Sequence, residues 1–313
     1  VNNLGADIIR LWVASSDYTA EMNVSDDILK QTADSYRRIR NTARYLLSNL
    51  SDFNPALDIV ATKNLLAIDK WAIDRAYDCQ QDIIEAYNNY QFHTIYQKVH
   101  NFCSNEMGSL YLDITKDRQY TMGENSIGRR SSQTAMYHIL EAVTRWVAPI
   151  LSFTADELWE YLPGERNESV LLNTWYDQLA PLPASEKLDL VSWEQIFKVR
   201  DTVSKAIEEK RNAGLVKGGL TTEVTIKAGE QWYKPLQLVG EELKFVLITS
   251  KVELILDNVS DSAIEVQVSA SDHKRCDRCW HQVNDVGRNS VHPELCDRCI
   301  DNIDGDGEQR HYA

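Results

Sequence analysis

Apolar positions recur every three to four residues along most of the first two thirds of the chain, the period of helices that bury one face. Residues 6–14 carry Ile8, Ile9, Leu11, Trp12 and Val13, a stripe too broad for a helix lying alone on a surface, so this helix is expected to dock. Ser25 or Asp26 caps the next helix, in which Tyr36, Ile39, Ala43, Leu46 or Leu47, and Leu50 return at helical spacing. A third helix is predicted over about 62–90, with Leu65, Leu66, Ile68, Trp71, Ile73, Ala76, Tyr77, Ile83, Ile84 and Tyr87 inward. Shorter helices follow over 92–103 and 106–112. After the turn-rich stretch 123–128, a long helix starts near Arg129 and passes through Met136, Ile139, Leu140, Val143, Trp146 and Val147 until Pro149 ends or kinks it. Residues 152–159 form a short capped helix and 179–185 a Pro-rich linker. Four or five antiparallel helices make a bundle.

Beyond the linker the period changes. A helix over about 193–212 precedes a Gly-rich turn at 214–219, and alternating segments follow at 223–227, 251–256 and 264–268. A helix-like stretch, 231–245, separates the first two strands. Only one connection is long enough for a crossover, so the strands are predicted to be mixed or antiparallel in a small α/β module. The fold class is therefore mainly α and multidomain.

A length of 313 residues with 43% hydrophobic content suits two or three ordinary packed domains. No apolar run approaches the roughly 20 residues of a bilayer-crossing helix, and the most apolar one, 143–153, is interrupted by Arg145 and Pro149. The net charge of −14 excludes a protein coated in positive potential, so nucleic-acid contact must come from local basic stripes. Arg37, Arg40 and Arg44, three and then four residues apart, form such an edge on one helix; the alternative is a solvated face paired with Asp34. Lys116 and Arg118, read as lying on a turn after a helix, either hold phosphate or bridge to Asp113 and Asp117. The chain opens at Val1 inside an amphipathic pattern, as an excised piece would, and the acidic, Gly-containing stretch 301–308 reads as a loosely packed end.

The most specific signal lies near the other end. Cys-Asp-Arg-Cys occurs twice, at Cys276 to Cys279 and Cys296 to Cys299, with 16 residues between the copies. Each Cys-x-x-Cys turn aims two sulfurs at one point, and two turns complete the tetrahedral shell of a closed structural Zn²⁺ site. The alternative, two disulfides, is opposed by Cys79 and Cys103, unpaired in helical sequence, and by the absence of a signal-peptide pattern; both predict a reducing, cytoplasmic compartment. Trp280 follows a zinc ligand directly, with Lys274, Arg275 and His281 beside it: a platform on which a base stacks, or a cover for the module's tiny core. Arg278 and Arg298 read as offsets for the excess negative charge of four thiolates on one Zn²⁺. No Gly-x-x-x-x-Gly-Lys loop occurs, His93, His100 and His138 support no Ser-His-Asp arrangement, and Asp156-Glu157 suits a helix N-terminus.

Several runs now carry a resemblance. Gly5-Ala6-Asp7-Ile8-Ile9-Arg10-Leu11-Trp12-Val13-Ala14-Ser15, Asp17-Tyr18 and Tyr36-Arg37-Arg38-Ile39-Arg40-Asn41-Thr42 are similar to the C-terminal part of the bacterial isoleucyl-tRNA synthetases, class Ia enzymes. So are Tyr111-Leu112-Asp113-Ile114-Thr115-Lys116-Asp117-Arg118, Ala148-Pro149-Ile150-Leu151-Ser152-Phe153-Thr154-Ala155-Asp156-Glu157 and Cys276-Asp277-Arg278-Cys279-Trp280-His281, in the family's order over nearly the whole chain. Relatives specific for valine and leucine share the early helices; the four-cysteine element followed by Trp280 resembles the isoleucine enzymes.

The resemblance implies a junction to a catalytic core over 1–25, an anticodon-binding bundle over 26–180, a small α/β module over 186–270 and a zinc module over 271–313. It implies isoleucine tRNA as partner, contacted through Arg37, Arg40, Arg44, Lys116, Arg118, Lys274, Arg275, Trp280 and His281, with no membrane and a monomeric state. The family's His-Ile-Gly-His and Lys-Met-Ser-Lys-Ser type signatures are absent from this sequence, so ATP and Mg²⁺ are expected only in a catalytic domain outside it, and the piece should activate no amino acid. Two other classes remain to be weighed: a zinc-containing protein-interaction module without RNA specificity, and a metal-dependent hydrolase, which a closed four-cysteine shell disfavours.

Overall fold

The computed structural model describes residues 4–257 and 263–313, which group into two compact units. The first comprises residues up to 64, 72–113 and 130–181; the second comprises 65–71, 114–129 and 182–313. No helix among the described residues is long and apolar enough to cross a membrane.

In the first unit, helix α1 (Ala6–Ser15) docks as its broad stripe requires, burying Ile8, Leu11 and Ala14. Asp7 is buried on the same face and accepts hydrogen bonds from the Thr154 amide (2.8 Å) and hydroxyl (2.6 Å). It thereby satisfies orphan donors at the start of a later helix, α7 (Ser152–Tyr161), whose own cap position supplies none. Helix α2 (Asp26–Ser48) begins at Ser25, whose hydroxyl accepts from the Ile28 amide at 3.2 Å, and buries Ile39, Ala43 and Leu46. Helix α3 (Ala67–Asn88) starts later than the pattern suggested, after a separate 3₁₀ turn at Thr62–Asn64. Helix α6 (Ile127–Val147) ends two residues before Pro149, as expected.

The region 92–121 departs from the predicted pair of short helices. Helix α4 (Phe92–Asn101) continues through a π-helical stretch, Phe102–Tyr111, into α5 (Leu112–Thr121) with no intervening turn. Inside the wide stretch, a Cβ on Gly108 would stand 3.0 Å from the Cys103 carbonyl oxygen, to which the Thr42 hydroxyl also donates at 2.9 Å. Lys116 and Arg118 therefore lie on a helix, and helical phase turns one outward and the other inward.

One set of polar groups buried within this unit forms a connected network. Trp146 donates to Gln80 (2.9 Å), which donates to the Tyr176 carbonyl (2.7 Å), and His138 Nδ1 sits 2.6 Å from the Tyr176 hydroxyl. Burial pushes the His138 imidazole down to about 4, against an opposing pull from Glu141. Its folded value thus lies below its unfolded one, so its contribution is complete above about pH 6.5 and is lost as pH falls towards 4, when only the unfolded chain takes the proton. We expect His138→Gln to remove about 2 kcal/mol of the acid-induced loss of stability between pH 7 and 4.5. Parallel denaturant titrations at the two pH values check this; equal losses in both proteins would refute it.

The second unit carries the sheet. Helix α8 (Leu190–Asn212) buries Trp193, Ile196, Val199 and Val203, and Phe197 on the same helix meets Trp71 edge-on at 4.9 Å. Strand β1 (Thr222–Ala228) is central, parallel to β2 (Lys251–Leu256) and antiparallel to β3 (Ile264–Ala270). The sheet is mixed because the one long connection, through α9 (Glu230–Val239) and α10 (Leu243–Leu247), is the crossover that makes β1 and β2 parallel. Gly219 is required ahead of β1, since a Cβ there would lie 2.3 Å from the Ile248 carbonyl oxygen.

The stretch expected to be loose is tied down. Helix α11 spans Asp297–Asp304, and beyond it Glu308 and Arg310 enter a buried ion cluster. The Glu242 carboxylate accepts the amides of His311, Tyr312 and Ala313, each at 2.8 Å. The carbonyls of His311 and Tyr312 in turn accept from the Ala67 and Ile68 amides (3.0 and 2.9 Å), donors of the first turn of α3 that have no partner within their own helix.

Candidate zinc centre and nucleic-acid interface

The two Cys-x-x-Cys turns meet. In the first, the Cys276 amide donates to the His281 carbonyl and the Trp280 amide donates back to the Cys276 carbonyl, each at 2.9 Å. In the second, Cys296 occupies the cap position of α11, Cys299 lies in the first turn of that helix, and the Cys296 amide points at Cys276 Sγ (3.4 Å). All four sulfurs lie within 4.8 Å of one another, and Cys279 and Cys296 are 3.7 Å apart. A tetrahedron with Zn–S bonds of about 2.3 Å has edges of about 3.8 Å, whereas a disulfide needs about 2.05 Å. All six cysteines are free, so the disulfide alternative is set aside.

The donor set fits a dication. Hydrogen bonds from the Cys296 and Cys299 thiols hold Cys279 far below the ordinary thiol range, while Cys279 pushes both Cys296 and Cys299 up. Four buried sulfurs cannot all ionise beside one another unless a cation neutralises them, and Zn²⁺ does so while closing every coordination position. Apart from the cysteines, the module's apolar cluster is Val286 and Leu295 with partly buried Val283 and Ile300. Trp280 is outside that cluster and 59% exposed, so it does not cover the core. Its backbone is left-handed, with φ 65°, a conformation that costs a non-glycine residue about 1–2 kcal/mol.

The other candidates separate by exposure. Lys274 and Arg275 are exposed, the latter 3.3 Å from Asp277. His281, though adjacent to Trp280, is 4% exposed and packs edge-on against Phe245 at 5.7 Å, which removes it from the accessible surface. In the first unit, Arg37 is exposed and paired with Asp34 at 2.8 Å, Arg44 is exposed, and Arg40 is half-buried. The arginine edge is thus narrower than its spacing predicts. On α5, Lys116 is exposed, but Arg118 is completely buried and grips Asp69 through two bonds of 2.7 and 2.8 Å. Asp69 is thus the carboxylate it forks onto, and, being fully buried, Arg118 offers no surface to a phosphate.

Arg278 and Arg298 do more than balance sulfur charge. Arg278 donates to the Thr121 carbonyl at the end of α5 (3.3 Å), and Arg298 forks onto Asp117 at 2.8 and 3.0 Å. Arg298 also reaches Glu308 at 2.9 Å, and Arg310 pairs with both Asp117 and Glu308. Burial alone would raise the Asp117 carboxyl, yet the two guanidiniums hold it well below the usual carboxylate range. The sequence offers Asp117 only to Lys116 or Arg118 and assigns no role to Glu308 or Arg310, because pairing of Asp117 across some 180 residues has no local period.

The helical bundle, the three-stranded sheet and the four-sulfur module can be set beside known proteins. Residues 69–226 match the family model described as the anticodon-binding domain of tRNA ligases, and residues 274–302 match a zinc finger found in FPG and IleRS. The chain belongs to the anticodon-binding domain family of tRNA ligases. Its relatives include the isoleucine–tRNA ligase of Hahella chejuensis (strain KCTC 2396), 53% identical over 322 residues, covering 100% of this chain and 34% of that protein. Those of Pseudomonas entomophila (strain L48) and Azotobacter vinelandii (strain DJ / ATCC BAA-1303) are each 52% identical over 320 residues, with the same coverage. The chain thus spans about a third of the length of the curated relatives it matches. Among solved structures, the LeuRS of Agrobacterium radiobacter K84 in a ternary complex with tRNA overlaps 82% of this chain and 29% of its own, at 12% identity and a TM-score of 0.39.

Proposed function

We propose that the chain is the RNA-recognition part of an isoleucine–tRNA ligase and that its zinc module presents Trp280 to an unpaired base of the anticodon loop of isoleucine tRNA. The observation that carries this reading is the Trp280 indole itself, exposed on a strained backbone directly after a metal ligand. An exposed aromatic outside the apolar cluster has no packing reason to hold a left-handed conformation. Fixed by the metal turn, it loses little entropy when a base stacks on it. Lys274 and Arg275 flank it as phosphate contacts, with Lys116 on α5 and, in the first unit, Arg37, Arg44 and half-buried Arg40 as further ones. Zn²⁺, when bound, supplies structure and no open position for chemistry. ATP and Mg²⁺ act in the catalytic part of the parent protein, a monomer of the cytoplasm, and the present chain charges no tRNA alone.

The test is Trp280→Gly, which removes the indole and accepts the left-handed backbone without strain. We expect the zinc-loaded variant to fold at least as stably as the wild type and to bind isoleucine tRNA more weakly by about 1–3 kcal/mol. An unchanged dissociation constant would end the stacking role. Equal affinity of the wild type for an anticodon-altered tRNA, with weak salt dependence, would favour a protein-interaction module.

A further inference from the structure

The zinc module holds very little apolar surface of its own beyond the cysteines, so its attachment to the rest of the second unit must rest on polar contacts. Apart from the Gln282 amide, which donates to the Ser250 hydroxyl at 2.7 Å, those contacts gather around one carboxylate. Asp117, on α5, receives both arms of Arg298, which sits between the ligands Cys296 and Cys299 of the second metal turn, and also the guanidinium of Arg310. Glu308 closes the ring on the far side, accepting from Arg298, from Arg310 and from Asn302 (2.9 Å). Arg310 has a side chain only 1% exposed and lies 3.5 Å over the Phe245 ring, whose edge contact with His281 reaches back to the first metal turn. Arg278 adds a bond to the Thr121 carbonyl, one helical turn along α5 from Asp117.

We propose that Asp117 is a positioning residue for RNA recognition: gripped by Arg298 of the zinc module and by Arg310 of the segment beyond it, it clamps the module, and so the face bearing Trp280, onto α5. The role rests on the RNA-binding reading of Trp280. Asp117 touches no RNA in this account. Removing its charge leaves two arginines and one glutamate; the second metal turn then loses its seat on the helix, and the first loses the fixed Arg310–Phe245 packing against its His281, while each keeps its own sulfurs. A charge kept at a slightly different reach, as in Asp117→Glu, restores the pairing without its bidentate geometry.

The experiment uses the full zinc-loaded chain and three variants, Asp117→Asn, Asp117→Glu and, at the rim of the cluster, Glu308→Gln. Metal analysis, amide hydrogen exchange of residues 275–282 and 296–304, and affinity for isoleucine tRNA are read in parallel. We expect one zinc per chain in each variant, and in Asp117→Asn about tenfold faster exchange in both segments and about tenfold weaker tRNA binding. Asp117→Glu should recover most of both effects, and Glu308→Gln should move them in the same direction by less. If Asp117→Asn does not fold, Glu308→Gln decides alone. Unchanged exchange overturns the clamp whatever the RNA does. Faster exchange with unchanged affinity overturns the positioning role, provided that Trp280→Gly weakens binding. If Trp280→Gly has no effect either, the functional reading itself has failed, and with it the role of Asp117, while the exchange rates still report the clamp.

Discussion

Stripping the metal from this chain should unfold residues 274–304 and leave the helices of the first unit standing. The four sulfurs are the centre of the module, and around them lie only Val283, Val286, Leu295 and Ile300, two of these partly exposed. Burying an aliphatic side chain contributes about 1.5–3 kcal/mol, while ordering a residue costs about 1–2 kcal/mol for the backbone alone, so four such side chains cannot order a segment of this length. Coordination supplies the difference, on the order of 10–16 kcal/mol for structural zinc near neutral pH. Chelation should therefore open Lys274, Arg275, Arg278 and Arg288 to trypsin while helical circular dichroism falls only slightly. Replacement of one ligand, as in Cys299→Ser, should reproduce the pattern without a chelator. A metal-free chain, verified by metal analysis, that keeps the wild-type cleavage pattern would show that the module folds without zinc.

The parts of the fold legible in the sequence are those governed by local rules. The Ser25 cap, the stop of α6 ahead of Pro149 and the single crossover between β1 and β2 follow from spacing, from a missing amide and from connection length. The zinc site was legible because its four ligands come in two self-contained turns. What escaped depends on long-range contact. Thr42 reaches the Cys103 carbonyl inside a π-helical stretch, and this continuity carries Lys116 and Arg118 onto a helix where a turn was expected. The stretch after α11 is polar and looks loose, yet Glu242, some 70 residues earlier, binds three of its amides. His281 and Trp280 are neighbours with opposite fates because Phe245 offers a shelf to one of them only. No pattern within a window of a dozen residues announces such partners.

Arg118 gives the second large effect. Asp69→Ala should destabilise the protein by about 3–5 kcal/mol, because it strands a guanidinium that is completely buried and has its two strongest bonds to that carboxylate. Arg118 also donates to the Gly128 carbonyl at 3.0 Å, a neutral acceptor that cannot replace a charge. Gly128, in the first turn of α6, packs directly on Met122, whose sulfur an added Cβ would meet at 2.5 Å. The pair links the first turn of α3 to α5, the helix that also holds Asp117, which makes it part of the platform on which the zinc module is seated. Replacing both partners with apolar residues of similar size, Asp69→Leu with Arg118→Met, should recover most of the loss, because a buried ion pair adds little over good apolar packing once neither charge is left alone. Denaturant midpoints of the two single variants and the double variant form the cycle that checks this. A double variant no more stable than Asp69→Ala would mean that Arg118 organises its surroundings through more than this pair, and a single variant costing under about 1 kcal/mol would mean that water reaches the site.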